Sequence, residues 1–228
     1  MLTKDERKKL AAVQAVHYLK PGMTIGIGTG STVYWFIQEL GKMVKQGFTC
    51  QCVPTSAATN ALAVELGIPM MVLNDVDAID ITVDGADEID PRLNLIKGGG
   101  GALLQEKMVA AASRRLVIIA DSSKYVQQLG AFPLPVEVIP YGWKQVQWRL
   151  QMEQGIASAL RMKQDQAFIT DHGHYILDLT TGAIQDAAAL AAMLNAIPGV
   201  VENGLFINMA AAAIIASPDG TVKTIYPA

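Results

Sequence analysis

Glu106 is the residue with the most chemistry in prospect. Its neighbours three and four positions away, Ala102, Leu103, Val109 and Ala110, are all apolar. The spacing predicts a helix over Gly101–Ser113 that is apolar all round except at Gln105, Glu106 and Lys107, and such a helix is buried. A buried carboxylate is costly, and desolvation lifts its pKa towards neutrality, where a general base works. A structural ion pair with Lys97 or Lys107 would account for the same residue. Just upstream, Lys97 leads into Gly98-Gly99-Gly100-Gly101. Consecutive glycines are entropically expensive in an ordered fold, so something is expected to approach the backbone there. Lys97 sets a cation beside that nest of N–H groups, which suits an anion.

Two further segments carry unusual residues. Asp84-Gly85-Ala86-Asp87-Glu88-Ile89-Asp90 holds four carboxylates in seven residues. They repel one another unless partners or water compensate. A solvated acidic turn and a divalent-metal loop are both open readings, although metal loops have more regular ligand spacing. Gly26-Ile27-Gly28-Thr29-Gly30-Ser31-Thr32 lies between an apolar run and a helical pattern. Glycines there let N–H groups reach an anion at a helix start, with Ser31 and Thr32 as hydroxyl donors. Tight packing is the other reading. The dinucleotide fingerprint fails because position 31 is Ser, and Pro54-Thr55-Ser56 ends the next strand without an acidic residue. Lys124, after Ala120-Asp121-Ser122-Ser123, adds a cation at a strand end. Anion grips, a lysine, aspartates and one desolvated carboxylate suit proton transfer beside a carbonyl on a small phosphorylated substrate. Nothing among them suggests a bound redox cofactor.

These segments need a frame. Thr3 and Glu6 form a capping-box pattern that opens a helix to about Lys20. Strand signals at Met23–Ile27, Thr49–Val53, Pro69–Leu73, Ile79–Val83 and Leu116–Ala120 alternate with helical ones at Ser31–Lys45, Ser56–Leu66 and Gly101–Ser113. That alternation predicts a parallel sheet covered on both faces, with ligands at the carboxyl ends of its strands. From Leu134 the order is strand Leu134–Ile139, helix Trp143–Gln154, strand Ile156–Met162, and strands Ala167–Thr170 and Tyr175–Leu179 around the turn Asp171-His172-Gly173-His174. Helix Asp186–Ala196 and strand Val200–Phe206 follow, which makes a ferredoxin-like β-α-β-β-α-β unit. Ala210–Ala216 and Val222–Tyr226 are expected to rejoin the first sheet. The expected fold is α/β: a Rossmann-like open, mostly parallel sheet with helices on both faces (1–131 and 206–228), plus a smaller ferredoxin-like α+β domain (132–205).

Composition narrows the function. Hydrophobic residues make up 51% and charged ones 17%, the reverse of a disordered chain. A net charge of −3 offers no basic field, so no nucleic-acid partner is expected. The first residues are charged where a signal peptide needs an apolar stretch, and the apolar runs Ala187–Leu194 and Met209–Ala216 are far short of a bilayer span. No membrane partner and a cytoplasmic location are expected. Cys50 and Cys52 share one strand face and read as small buried side chains.

The motifs Gly26-Ile-Gly-Thr-Gly-Ser-Thr32, Val83-Asp-Gly-Ala-Asp-Glu88, Lys97-Gly-Gly-Gly100, Glu106-Lys107, Leu134-Pro-Val-Glu-Val-Ile-Pro140 and Asn195-Ala-Ile-Pro-Gly-Val200 resemble, in order, those of type A ribose-5-phosphate isomerase. The resemblance runs end to end. It implies reversible isomerisation of D-ribose 5-phosphate and D-ribulose 5-phosphate in the non-oxidative branch of the pentose phosphate pathway. It implies neither metal nor organic cofactor, a small-molecule sugar phosphate as partner, and a homodimer or tetramer. By the same resemblance Glu106 is the base that moves a proton between C2 and C1 through an enediolate. The substrate-contacting positions are Thr29, Gly30, Ser31, Thr32, Asp84, Gly85, Ala86, Asp87, Lys97, Gly98, Gly99, Gly100 and Lys124.

On physical grounds Lys97 and nearby N–H groups suit a developing oxyanion. One of Asp84 and Asp87 could assist ring opening, and Ser31, Thr32 and Lys8 or Lys124 could hold the phosphate. Gly101 stands where relatives often have Ala, and only a looser helix start is expected of it. His172 and His174 are expected on a solvated turn remote from the site. Two other functions fit parts of the pattern. A sugar-phosphate sensor would keep the phosphate grips without needing Glu106, and normally carries a DNA-binding domain. A coenzyme A transferase would use a glutamate as nucleophile and form a thioester on it.

Overall fold

The computed structural model describes residues 1–227. Its first helix, α1 (Lys4–Ala15), opens with the capping box: the Thr3 N–H donates to Glu6 Oε2 at 2.7 Å and the Glu6 N–H to Thr3 Oγ1 at 3.3 Å. Five further α-helices follow among the described residues: α2 (Ser31–Lys45), α3 (Ala57–Glu65), α4 (Leu103–Ala111), α5 (Trp143–Gln154) and α6 (Ala187–Asn195).

The main sheet runs Val222–Ile225, Ala210–Ala216, Leu116–Asp121, Ile81–Asp84, Met23–Ile27, Cys50–Pro54, edge to edge. All neighbours pair in parallel except the hairpin partner Val222–Ile225, so the tail does rejoin the first sheet. Alternate side chains feed two cores. Ile25, Ile27, Ile81, Val83, Val117 and Ile119 pack with α1 and α2 on one face. Leu116, Ile118 and Ala120 pack on the other with Ala110 of α4 and Phe206. Burial on both faces explains why these strands read as unbroken apolar runs. The chain steps from Met23–Ile27 outward to Cys50–Pro54, then crosses to Ile81–Asp84 on the opposite side. Strand order therefore reverses between Met23–Ile27 and Ile81–Asp84, the position where open α/β sheets leave a crevice at their carboxyl ends.

The second sheet is antiparallel, in the order Val200–Asn203, Leu134–Val138, Tyr175–Thr180, Ala157–Leu160. Numbered along this segment the order is 4-1-3-2, that of the ferredoxin-like unit. Its own core joins Val136, Val138, Leu177 and Leu179 to Val146 and Leu150 of α5 and Leu194 of α6. A three-stranded ribbon, Leu205–Phe206, Leu95–Ile96, Glu88–Ile89, bridges the two parts.

Four expectations need correction. Pro69–Leu73 is no strand: only Met70 bridges to Cys52, and Leu73–Asp75 is a 3-10 turn. Val200–Phe206 is two strands parted by Gly204, whose N–H donates to Pro135 while its carbonyl accepts from Lys97; the chain changes sheets there. Gln166–Ala167 folds back on Met162–Lys163 through Gln164 and Asp165, both at positive φ, so Ala167–Thr170 does not pair with Tyr175–Thr180. Helix α4 is shorter than Gly101–Ser113 and not buried all round, since Met108 is half exposed.

Candidate active site

Three loops leave the carboxyl ends of Met23–Ile27, Ile81–Asp84 and Leu116–Asp121 and meet in a pocket of about 270 Å³. At the first, the Gly28 N–H donates to Val83 O at 2.9 Å. A Cβ on Gly28 would stand 2.1 Å from Asp84 Oδ1, so no other residue lets the two loops pass this closely. The Thr29 hydroxyl is engaged beneath the loop with those of Thr55 (2.7 Å) and Ser56 (2.9 Å). Gly30, at φ +115°, turns the chain into α2 and brings no capping side chain. Gly30, Ser31 and Thr32 line the pocket, so the first turn of α2 opens onto it with the positive end of the helix dipole.

At its centre lie three buried charges. Lys97 Nζ stands 3.0 Å from Asp84 Oδ2 and 3.2 Å from Glu106 Oε1, and donates to Gly85 O at 2.7 Å. All three side chains are at least nine-tenths buried. Asp84 Oδ1 also accepts the N–H groups of Thr29 (3.1 Å) and Gly85 (2.7 Å). Glu106, in the first turn of α4, has only Lys97; its Oε2 accepts no hydrogen bond. Two carboxylates against one ammonium leave one negative charge too many for a dry site. Burial pushes the Glu106 carboxyl up to about 8: Lys97 opposes the shift, and the charges of Asp84 and Asp87 add to it. Burial also raises Asp84, against the pull of Lys97 and its two N–H donors. Burial alone would lower Lys97, but the carboxylates of Asp84 and Glu106 outweigh it and hold the ammonium above its usual value. Asp84 has two N–H donors beside the lysine whereas Glu106 has the lysine alone, so the protein stabilises the Asp84 anion more. Lys107 faces away, donating to Glu202 Oε1 at 2.8 Å and Asn203 O at 2.6 Å.

The acidic segment does not converge on a metal-sized point. Asp87 Oδ2 accepts the Gly99 N–H at 2.8 Å; Glu88 accepts from Gly130 and Phe132 at 2.6 and 2.7 Å. Asp90 accepts from the backbone of Arg92 and Asn94, both at 2.8 Å. Three of the four carboxylates thus pin loops, and Asp84 holds the lysine.

Of the candidate residues, Thr29, Gly30, Ser31, Thr32, Gly85, Ala86, Asp87, Lys97, Gly98, Gly100, Glu106 and Lys124 line the pocket. Asp84 lies behind Lys97, and Gly99 is tied to Asp87. Lys8, from α1, reaches the wall as well. Asp121 is a lining residue that sequence reasoning missed. Burial pushes its carboxyl up, but the Ser123 hydroxyl and N–H, with Arg7 behind them, outweigh this and hold it low. Its position just after the run Leu116–Ala120, like that of Asp84 after Ile79–Val83, was the available signal.

One expectation around the pocket is overturned and one holds with an addition. The turn Asp171–His174 is exposed through Gly173 and lines no part of the pocket, but it is anchored: Asp171 Oδ2 accepts the Ala57 N–H at 2.8 Å where α3 begins, and His174 Nδ1 lies 2.9 Å from the buried Glu137. It docks the four-stranded part onto the main sheet. Gly101 does more than loosen a helix start. It sits at φ +83° in the turn before α4, and a Cβ there would meet the Phe168 ring at 2.4 Å.

The family model for ribose 5-phosphate isomerase A (phosphoriboisomerase A) matches residues 51–220. A ribose-5-phosphate isomerase A from Bacillus cereus is 55% identical over 217 residues, 95% of this chain and 98% of its own. One from Rhizobium leguminosarum is 53% identical, covering 94% and 95%. Among solved structures, a D-ribose-5-phosphate isomerase in complex with phospho-erythronic acid superposes with a TM-score of 0.95 at 41% identity, covering 99% of this chain and all of its own. The enzyme from Neisseria gonorrhoeae gives 0.93 at 40% identity, covering 100% and 99%. A match over three quarters of the chain, with relatives this similar end to end, makes the protein a member of the ribose 5-phosphate isomerase A family.

Proposed function

We propose that this protein interconverts D-ribose 5-phosphate and D-ribulose 5-phosphate by proton transfer through an enediolate, with Glu106 as the base. The observation that carries the reading is Glu106 itself. It lines the pocket, is desolvated to a pKa of about 8, and has the single cation of Lys97 beside it. A base tuned near the working pH is best placed to take a proton and give it back. Glu106 removes the proton from C2 of the open-chain aldose as negative charge gathers on the C1 oxygen. The C2 hydroxyl proton passes to the C1 oxygen, and the same carboxyl delivers a proton to C1 while the C2 oxygen becomes the carbonyl. Lys97 supplies the positive charge for the oxyanion, and Asp84 behind it fixes where the ammonium sits.

The remaining roles follow from position. Ser31 and Thr32 at the start of α2, with Lys8 and Lys124 on the pocket wall, hold the phosphate. Asp87 lines the pocket whereas Asp84 is locked behind Lys97, so Asp87 is the carboxylate assigned to ring opening. The ligand of the solved relative, a sugar acid phosphate, suits the same reading. A carboxylate spreads charge over two oxygens much as an enediolate does. The same proposal takes in the absence of any metal or cofactor requirement, a cytoplasmic homodimer or tetramer, and a place in the non-oxidative pentose phosphate pathway. It also takes in division of the chain into 1–131 with 206–228 and 132–205, supported by the separate apolar cores.

The test is conversion of ribose 5-phosphate in the presence of EDTA by the wild type and by Glu106→Gln. Turnover by the wild type with near-complete loss in the variant is expected. A wild type that binds the sugar phosphate without converting it would favour a sensor. Loss of turnover in EDTA would bring back a metal.

A further inference from the structure

The loop Gly98–Gly101 has little conformational preference of its own, since glycine backbones adopt many orientations at similar cost. Any of its peptides could turn either its N–H or its carbonyl towards the pocket, and only the N–H would favour an anion there. Inside the loop the Gly101 N–H donates to Gly98 O at 3.0 Å, and the rest of that choice is made from outside it. The carbonyls of Gly98 and Gly99 both point at one guanidinium: Arg161 Nη1 lies 2.7 Å from Gly98 O and 3.3 Å from Gly99 O. Arg161 comes from the ferredoxin-like unit, one residue beyond the strand Ala157–Leu160, and its N–H donates to Ile176 O at 2.8 Å. Its other nitrogens grip Asp178 in a two-pronged pair, Nε to Oδ2 at 2.9 Å and Nη2 to Oδ1. Phe168 closes the assembly, its ring centroid 5.9 Å from the guanidinium carbon and its edge in the space a Gly101 side chain would need. On the opposite side Asp87 holds the Gly99 N–H at 2.8 Å.

We propose that Arg161 is a positioning residue of the isomerase site, holding the carbonyls of Gly98 and Gly99 out of the pocket so that, with the Gly99 N–H on Asp87, the Gly100 N–H is turned towards the developing oxyanion. This rests on the isomerase reading above and extends it to a residue outside the pocket. The demand on the side chain is specific. Two carbonyls and a bidentate carboxylate must be met at once by a planar fork, and a lysine ammonium cannot reproduce that geometry. If Arg161 is removed, the loop is free to turn a carbonyl dipole towards the oxyanion, which costs transition-state stabilisation and leaves phosphate binding untouched.

The experiment compares wild type, Arg161→Met, Arg161→Lys and Asp178→Asn in kcat, KM and binding of two probes, phospho-erythronic acid and inorganic phosphate. Arg161→Met is expected to lower kcat by about 10- to 100-fold, the scale of a small misplacement in an active site, with KM changed less than about threefold. Affinity for the sugar acid phosphate should fall with kcat, while inhibition by inorganic phosphate stays the same. Arg161→Lys should recover little, and Asp178→Asn should fall between. A kcat within twofold of wild type in Arg161→Met overturns the proposal. So does an activity loss fully explained by fewer folded sites, counted by titration with the sugar acid phosphate, because Arg161 would then be structural only. Equal loss of affinity for both probes overturns it too, since the loop would then serve the phosphate. Failure of the wild type to convert the sugars is a separate outcome that overturns the isomerase reading itself.

Discussion

Lys97 Nζ lies 3.2 Å from Glu106 Oε1, yet Glu106 Oε2 has no partner. Oε2 is closed off from solvent as well, so the carboxyl sits dry beside a single cation. The arrangement costs stability, because two buried carboxylates share a single cation. The role proposed for Glu106 as the base would account for why that cost is retained.

Replacing Glu106 by Gln keeps the shape and removes the base. Turnover should fall by roughly 10²–10⁴-fold, the usual worth of general acid–base catalysis. Retained binding of ribose 5-phosphate, measured by calorimetry, would separate loss of chemistry from loss of the site.

The pH dependence follows from the raised Glu106 pKa. In the free enzyme kcat/KM should climb with pH through about 8, as the carboxyl ionises. The residual activity of Glu106→Gln should lack that limb. Stability should move the other way. A folded pKa of about 8 against an ordinary value of 4.5 means that the fold retains a proton that the unfolded chain releases. The stabilisation is full below about 4.5 and is lost as pH rises to about 8, at about 1.4 kcal/mol for each tenfold difference in proton affinity between the two states. Urea unfolding at pH 5 and pH 8.5 should show wild type losing more stability than Glu106→Gln.

Removing the cation should do more damage than removing either anion. Lys97→Met strands two buried carboxylates, at a cost of about 3–5 kcal/mol. The loss should ease at pH 5, where the carboxyls take up protons, and deepen at pH 8.5. Thermal melts at the two pH values read it directly.

Gly101→Ala tests the turn before α4. A side chain at φ +83° costs about 1–2 kcal/mol even without a clash, and the Phe168 ring adds to it. For a chain of this size, a loss of about 2 kcal/mol lowers Tm by roughly 4–8 °C. Pairing it with Phe168→Ala should recover the part of the loss due to the clash and leave the part due to φ.

Much of this was legible in the sequence, for identifiable reasons. The strands Met23–Ile27 and Leu116–Asp121 are buried on both faces, so their apolar runs announce a parallel sheet. Glu106 stands out because a carboxylate among Ala102, Leu103, Val109 and Ala110 needs a reason. What stayed hidden depends on contacts distant in the chain. Val200–Phe206 has a continuous strand pattern, and only the meeting of Gly204 with Pro135 and Lys97 breaks it. Met70 and its neighbours carry strand propensity but find just one bridge, to Cys52. Arg161 and Asp171 look like ordinary surface charges until the fold sets them against Gly98 and Ala57, 63 and 114 residues away.

Isomerisation in D2O tests most directly whether Glu106 carries a proton between C2 and C1. Wild type should form ribulose 5-phosphate with solvent deuterium at C1 in a fraction of the product, because a proton held on a carboxyl exchanges in some turnovers before it returns, whereas a hydride shift from C2 to C1 admits none. Glu106→Gln should form almost none. Product formed at the wild-type rate with no solvent label, or a Glu106→Gln variant that still turns over, would contradict the account.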